Sequence, residues 1–217
     1  DIVLLSDTLN DLAGVLQTGQ QVVNGLLNTL KLNLTQIGYI LLLLIAMMLS
    51  SRGAFYITPS QNGLVIFFTV IAPSIGLPLW ARKDAVPRQT SYRHLAIFAV
   101  PAAVTIALSV LLLDGQLDVL PRSNDGRIMM TWFLMMEGFL LVLFVQPAIR
   151  VLAGVGTPAG DWRPAWFALI LFLVSLWLAT LPKADQWFSF TLLPSFQNYL
   201  ILFAGALLWA LLLQLGW

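Results

Sequence analysis

DIVLLSDTLNDLAGVLQTGQQVVNGLLNTLKLNLTQIGYILLLLIAMMLS, Asp1–Ser50, begins as a water-soluble sequence and ends as a lipid-soluble one. Its first residues, Asp1–Leu5, have the apolar run of a short buried strand. Thr8 and Asp11 then have the spacing of a capping box, with Asp in place of the usual Glu. Leu9, Leu12, Leu16, Val23, Leu26 and Leu30 recur at helical spacing, and Gln17, Gln20, Gln21, Asn24, Asn28 and Lys31 take the other faces. A helix lying in a membrane interface shows a polar face rich in Lys and Arg. This one is rich in Gln and Asn, which suits a stalk packed on protein. From Leu32 onward the polar face disappears. The reading is a strand over residues 1–7, a stalk helix over 8–31 and a membrane helix continuous with it.

The rest of the chain continues in the same solvent. It has 217 residues, 59% of them hydrophobic and 10% charged, with a mean hydropathy of +0.87. Soluble domains carry about 25% charged residues, and a bilayer crossing takes about 20 apolar residues. Residues 32–217 contain six such runs, Leu32–Ser50, Asn62–Ala81, Leu95–Leu113, Ile128–Pro147, Ala165–Leu181 and Gln197–Trp217. Backbone groups in lipid must bond internally, so each run is read as a helix. The expected fold is all-α, a polytopic membrane protein of six transmembrane helices whose first helix extends into a cytosolic stalk.

The net charge of +1 points to no nucleic-acid partner, and the absence of cysteine excludes disulfides, thiol catalysis and cysteine metal sites. The loop Arg82–His94 holds Arg82, Lys83, Arg88 and Arg93, and the excess of Lys and Arg places it in the cytosol. An even number of spans puts both chain ends on that side. Trp80, Trp132, Trp162, Trp166, Trp187 and Trp217 lie near span ends, where an interfacial belt is expected. The chain begins in what reads as the middle of a folded domain, so it is expected to be the C-terminal part of a longer protein.

Three places within the spans could carry chemistry. In Thr69-Val-Ile-Ala-Pro73-Ser74-Ile-Gly76-Leu-Pro78 each proline withholds an N–H, from the carbonyl of Thr69 and from that of Ser74. A kinked or locally unwound helix is expected, offering carbonyl and hydroxyl oxygens at membrane depth as ion-coordinating breaks do; neighbouring helices could equally satisfy a plain kink. Glu137 is the only acid well inside a span. An intramembrane carboxyl group marks a functional site by default, although a Glu bonded to a neighbouring helix would look the same. Gln36 and Tyr39, three residues apart with Thr35 beside them, offer neutral oxygens or ordinary interhelical hydrogen bonds. Met135 and Met136 read as packing, since no Cys or His joins them, and the single histidine, His94, sits in a loop.

In this order the features resemble a known family. Asp1–Leu5 followed by Ser6-Asp7, with Gly19 further on, resembles the P-type ATPases where the phosphorylation domain runs into the fifth membrane helix. Gln20 and Gln21 stand where that family has basic residues. TVIAPSIGLPLWARKD, Thr69–Asp84, looks like the sixth helix of a bacterial calcium- or magnesium-type branch, and the six spans then correspond to helices five to ten. The resemblance covers the chain, is specific at the N-terminus and becomes topological after Leu113. It implies the transport half of an ATP-driven cation pump in a bacterial plasma membrane. ATP and Mg would be used by cytosolic domains upstream of Asp1, which would also hold the DKTGT, GDGxND and TGE motifs; four further membrane helices would precede the chain too. This segment alone, lacking the catalytic residues and holding no cofactor, is not expected to hydrolyse ATP.

The resemblance also implies an ion path. Gln36 and Tyr39 fall where calcium pumps have Asn and Glu, and Thr69 and Pro73 where they have Asn and Asp, so the carboxylates are lost. Glu137 lies roughly where some pumps have one more acidic ligand. The expected path therefore comprises Gln36, Tyr39, Thr69, Pro73, Ser74 and Glu137, with Glu137 and Thr69 as metal ligands and oxygen donors suited to a hard cation. A passive channel or secondary transporter, and a non-transporting subunit that binds a partner or lipid, are the other readings.

Overall fold

The computed structural model describes residues 9–49, 57–83, 91–117, 124–147, 160–193 and 195–216. Among them there are helices and no strand. The strand expected over residues 1–7 and the capping residue Thr8 lie outside the described residues, as do Arg88 and Trp217.

Helix α1 runs unbroken over Leu9–Leu49, 41 residues, or about 60 Å at 1.5 Å per residue, twice a hydrocarbon core. No proline interrupts it. Its outer half packs through a face the apolar spacing does not mark: Leu16, Val23, Leu26 and Leu30 are exposed. The Gln/Asn side meets the protein instead. Gln21 Nε2 donates to the carbonyls of Leu79 (2.9 Å) and Pro78 (3.4 Å), and Asn24 Nδ2 to that of Arg82 (2.6 Å). These belong to the last turn of the next helix and the residues just beyond it, where carbonyls have no intrahelical donor. Gly25 allows the approach: a Cβ there would stand 2.6 Å from Pro78 Cα.

Helix α2, Pro59–Trp80, starts in a capping box that the sequence reading did not pick out. Thr58 Oγ1 accepts from Gln61 N–H and Gln61 Oε1 from Thr58 N–H. It does not unwind at its prolines. It widens into a π-helical turn over Phe67–Ile71, returns to α geometry over Ala72–Gly76 and tightens to a 3₁₀ turn over Leu77–Trp80. Ala72 N–H bonds back to Phe67, five residues rather than four. The change of pitch falls just before Pro73, which cannot donate to Thr69, so the break expected from Pro73 and Pro78 is absorbed as a change of helix type.

Helix α3, Ser91–Leu117, lies along α1. A Cβ on Gly38 would stand 2.8 Å from that of Ala103, and Ala99, Ala102, Ala103 and Ala107 are all buried, the small-residue contact that lets helix backbones approach in lipid. Helix α4, Asn124–Val145, is the centre of the bundle. Its apolar stretch is 89% buried, where the others reach at most 44%, and it touches α1, α2, α3 and the two long helices that follow. Trp132 belongs to this core and not to an interfacial belt. It is fully buried, its Nε1 donates to the carbonyl of Thr191, and its ring packs on Phe190. Trp162, Trp166 and Trp187 are exposed near helix ends.

Helix α5, Arg163–Ala179, turns by 92° into the short α6, Pro182–Phe188, and α7 follows over Phe196–Gly216. Among the described residues, five helices (α1, α2, α3, α4 and α7) are long and apolar enough to cross a membrane, and the bent pair α5–α6 would make a sixth if it counts as one span. Alone, α5 has 17 residues, the lower limit for a crossing.

Candidate functional site

The centre of the bundle encloses a cavity of about 10 Å³, walled by Gln36 and Tyr39 of α1, Thr69 of α2, Gly138 of α4 and apolar side chains from α1 to α4. That is at the threshold for a single water molecule. Three of the expected site residues, from two separate helices, therefore meet at one point.

Gln36 is 6% exposed, and neither its amide oxygen nor its amide nitrogen has a hydrogen-bond partner among the described residues. A primary amide offers two donors and an acceptor, and leaving such groups unpaired inside a protein is costly. Tyr39 follows one turn later on the same face. Thr69 sits in the π-helical turn, and its hydroxyl donates to the carbonyl of Val65 at 2.7 Å. The hydroxyl oxygen keeps its acceptor capacity.

Glu137 precedes the cavity-lining Gly138 and is completely buried. Ser109 of α3 donates to its Oε1, and Oε2 has no partner among the described residues. Gly138 brings α4 onto α2: a Cβ there would overlap the side chain of Thr69, standing 2.5 Å from its Cβ and closer still to its methyl group. This contact seats α4 on the π-helical turn, while Glu137, bonded to Ser109 of α3, is not among the residues that line the cavity.

Pro73 and Ser74 are not brought to the cavity. Pro73 is buried one turn further along α2, and the Ser74 hydroxyl is buried without a partner among the described residues. The oxygen-bearing side chains among the residues that line the cavity are those of Gln36, Tyr39 and Thr69. At the C-terminal end of α2, Gln146 Nε2 donates to the carbonyl of Leu77 (3.3 Å), which the 3₁₀ turn leaves without its α-helical donor.

Sequence reasoning missed Ser109 and Gly138. Mid-helix serines in membrane proteins commonly bond their own backbone, and Ser109 does lie 2.8 Å from the carbonyl of Ile106, so nothing in the sequence singles it out. Gly138 carried a signal, since a glycine next to an intramembrane acid permits close approach of another helix. Among the described residues no three His, Cys, Asp or Glu side chains come together to hold a metal ion. A cation here would rest on one carboxyl group and neutral oxygens.

No family model matches the chain, and searches of curated proteins and of solved structures also find no match.

Proposed function

We propose that the chain is the membrane half of an ATP-driven cation pump of the P-type, with the cation path running between α1, α2 and α4. Cytosolic domains and four further membrane helices would complete it, the cytosolic part using ATP and Mg. It would sit in a bacterial plasma membrane as six spans, with α5–α6 supplying the fifth and both ends in the cytosol. The outer half of α1 would be the stalk that carries motion from the cytosolic part to the path. The observation that carries the reading is the meeting of Gln36, Tyr39 and Thr69 around one small cavity, with the buried Glu137 next in sequence to Gly138, which lines it. Polar groups of this kind within membrane helices mark ion pathways, and the 41-residue α1 links the spot to the outside. In this role Glu137 provides the negative charge, Ser109 fixes one carboxylate oxygen and leaves the other for the cation, and Gln36, Tyr39 and Thr69 supply neutral oxygens.

The test is Glu137→Gln in the full-length protein. The substitution keeps the shape and the oxygen that accepts from Ser109 but removes the charge. It should abolish ion-stimulated ATP hydrolysis or shift its ion dependence by at least tenfold, about 1.4 kcal/mol. Turnover with unchanged ion dependence would make Glu137 structural and place the path elsewhere.

A further inference from the structure

A second cavity lies away from the polar one, between α4, α5 and α7. It has about 210 Å³ of room, and its walls include Met136, Phe139, Leu140, Ala168, Phe172 and Phe203. Among the described residues, all that line it are apolar. Small side chains leave the space: Ala168 and Ala206 of its wall are buried, and larger side chains there would narrow it. Leu169 and Phe203 belong both to its wall and to the exposed surface, so it opens sideways into the medium around the helices.

We propose that this groove is a binding site for one acyl chain of a membrane phospholipid. The inference rests on reading the helices as membrane spans, and its wall is then continuous with the surface those spans show to lipid. The chemistry of the walls selects the occupant. A water-borne ligand needs a few placed polar groups to fix it, and drug-sized ligands occupy about 300–1,000 Å³. This groove has no such groups and less room. A transmembrane helix is about 10–12 Å across and does not fit inside. A cavity of about 150 Å³ takes one benzene molecule, so 210 Å³ takes a slender hydrocarbon segment of somewhat greater size. Lipid and protein interiors are equally apolar, so retention comes from close packing. Three phenylalanine rings and a methionine, an adaptable side chain, line the chain's path.

The experiment uses the full chain in bilayer discs of phosphatidylcholine carrying a photoactivatable group in one acyl chain, with adducts mapped by mass spectrometry. Adducts on Met136, Leu140 and Leu169 should exceed those on the lipid-facing Leu108 and Leu112 of α3 by about tenfold per residue, the ratio expected for a modest site over bulk contact. Ala168→Leu should remove most of that excess and leave the α3 adducts unchanged. Ala165→Leu, at the half-exposed mouth, repeats the test if the buried variant fails to fold. Equal labelling on all faces would mean boundary lipid only and overturn the site, as would an excess that both variants leave intact. A photoreactive residue at Leu169 that captures a second polypeptide in native membranes, with no lipid excess in the discs, would assign the groove to a protein partner. Absence of lipid adducts on α3 as well would overturn the membrane reading itself.

Discussion

Gly138→Ala is the sharpest probe of how the polar site is assembled. The added methyl group would overlap Thr69, whose Cβ and γ-methyl are the nearest atoms. Thr69 cannot easily turn away, because β-branching stiffens χ1 and its hydroxyl is bonded to Val65. Either α2 and α4 separate or the π-helical turn shifts. Inserting a methylene-sized group into a packed core costs about 1–3 kcal/mol. The contact lies close to the backbone, so the upper part of that range applies, about 3 kcal/mol. Alanine returns about 1 kcal/mol of helix propensity relative to glycine. The net loss is about 2 kcal/mol, which for a chain of this length lowers the melting temperature by about 4–8 °C. Tryptophan fluorescence during thermal unfolding in detergent reads this directly, with Gly63→Ala as the control. A Cβ at Gly63 meets nothing within 4 Å, so that variant should be as stable as the parent or slightly more so. Thr69→Ser removes the γ-methyl and should recover part of the loss when combined with Gly138→Ala. If Gly138→Ala unfolds with the parent, or if the two substitutions simply add, α2 and α4 do not meet at this point and the assembled site is wrong.

Two further outcomes follow from α1. The chain has no cysteine, so spin labels on Gly14→Cys and Met48→Cys report one pair; an unbroken helix puts the two backbones about 50 Å apart at 1.5 Å per residue, and a bend near residues 24–34 would shorten that by many ångströms. Gln21→Ala and Asn24→Ala each remove a side chain that donates to carbonyls at the end of α2. Each should cost about 0.5–1 kcal/mol in unfolding free energy, the lower part of the hydrogen-bond range because the carbonyls can turn to water; a double variant as stable as the parent would show that α1 does not cap α2.

Much of the helical outline was legible because it depends on one property read residue by residue. Long apolar runs bounded by charge and proline gave each long helix to within a few residues but not the short α6, and the lack of proline from Leu9 to Leu49 gave α1 its continuity. The side of α1 that packs was not legible. Its leucine and valine spacing marks the face most costly to leave in water, but the contact with α2 is made by Gln21, Asn24 and Gly25. That choice was set by an unsatisfied helix end far away in sequence. Trp132 misled for a related reason: position near a span end suggested an interfacial ring, while its buried indole donates to the carbonyl of Thr191.

The polar site divides along the same line. Glu137, Gln36, Tyr39 and Thr69 could be found singly because a polar group in an apolar run is costly wherever it lies. Their convergence depends on registers between helices, which no local pattern encodes. Pro73 and Ser74 show the difference. Proline guarantees a missing N–H, but it does not say whether the helix responds by opening or by changing pitch. Here the pitch changes one turn earlier, in Phe67–Ile71, and that turn holds the Thr69 that packs against Gly138. Ser74, on the far side of Pro73, stays away from the cavity. The prolines of α2 therefore point to a change in the helix but not to which of its residues line the cavity, because the response to a proline is chosen by the neighbour it packs against.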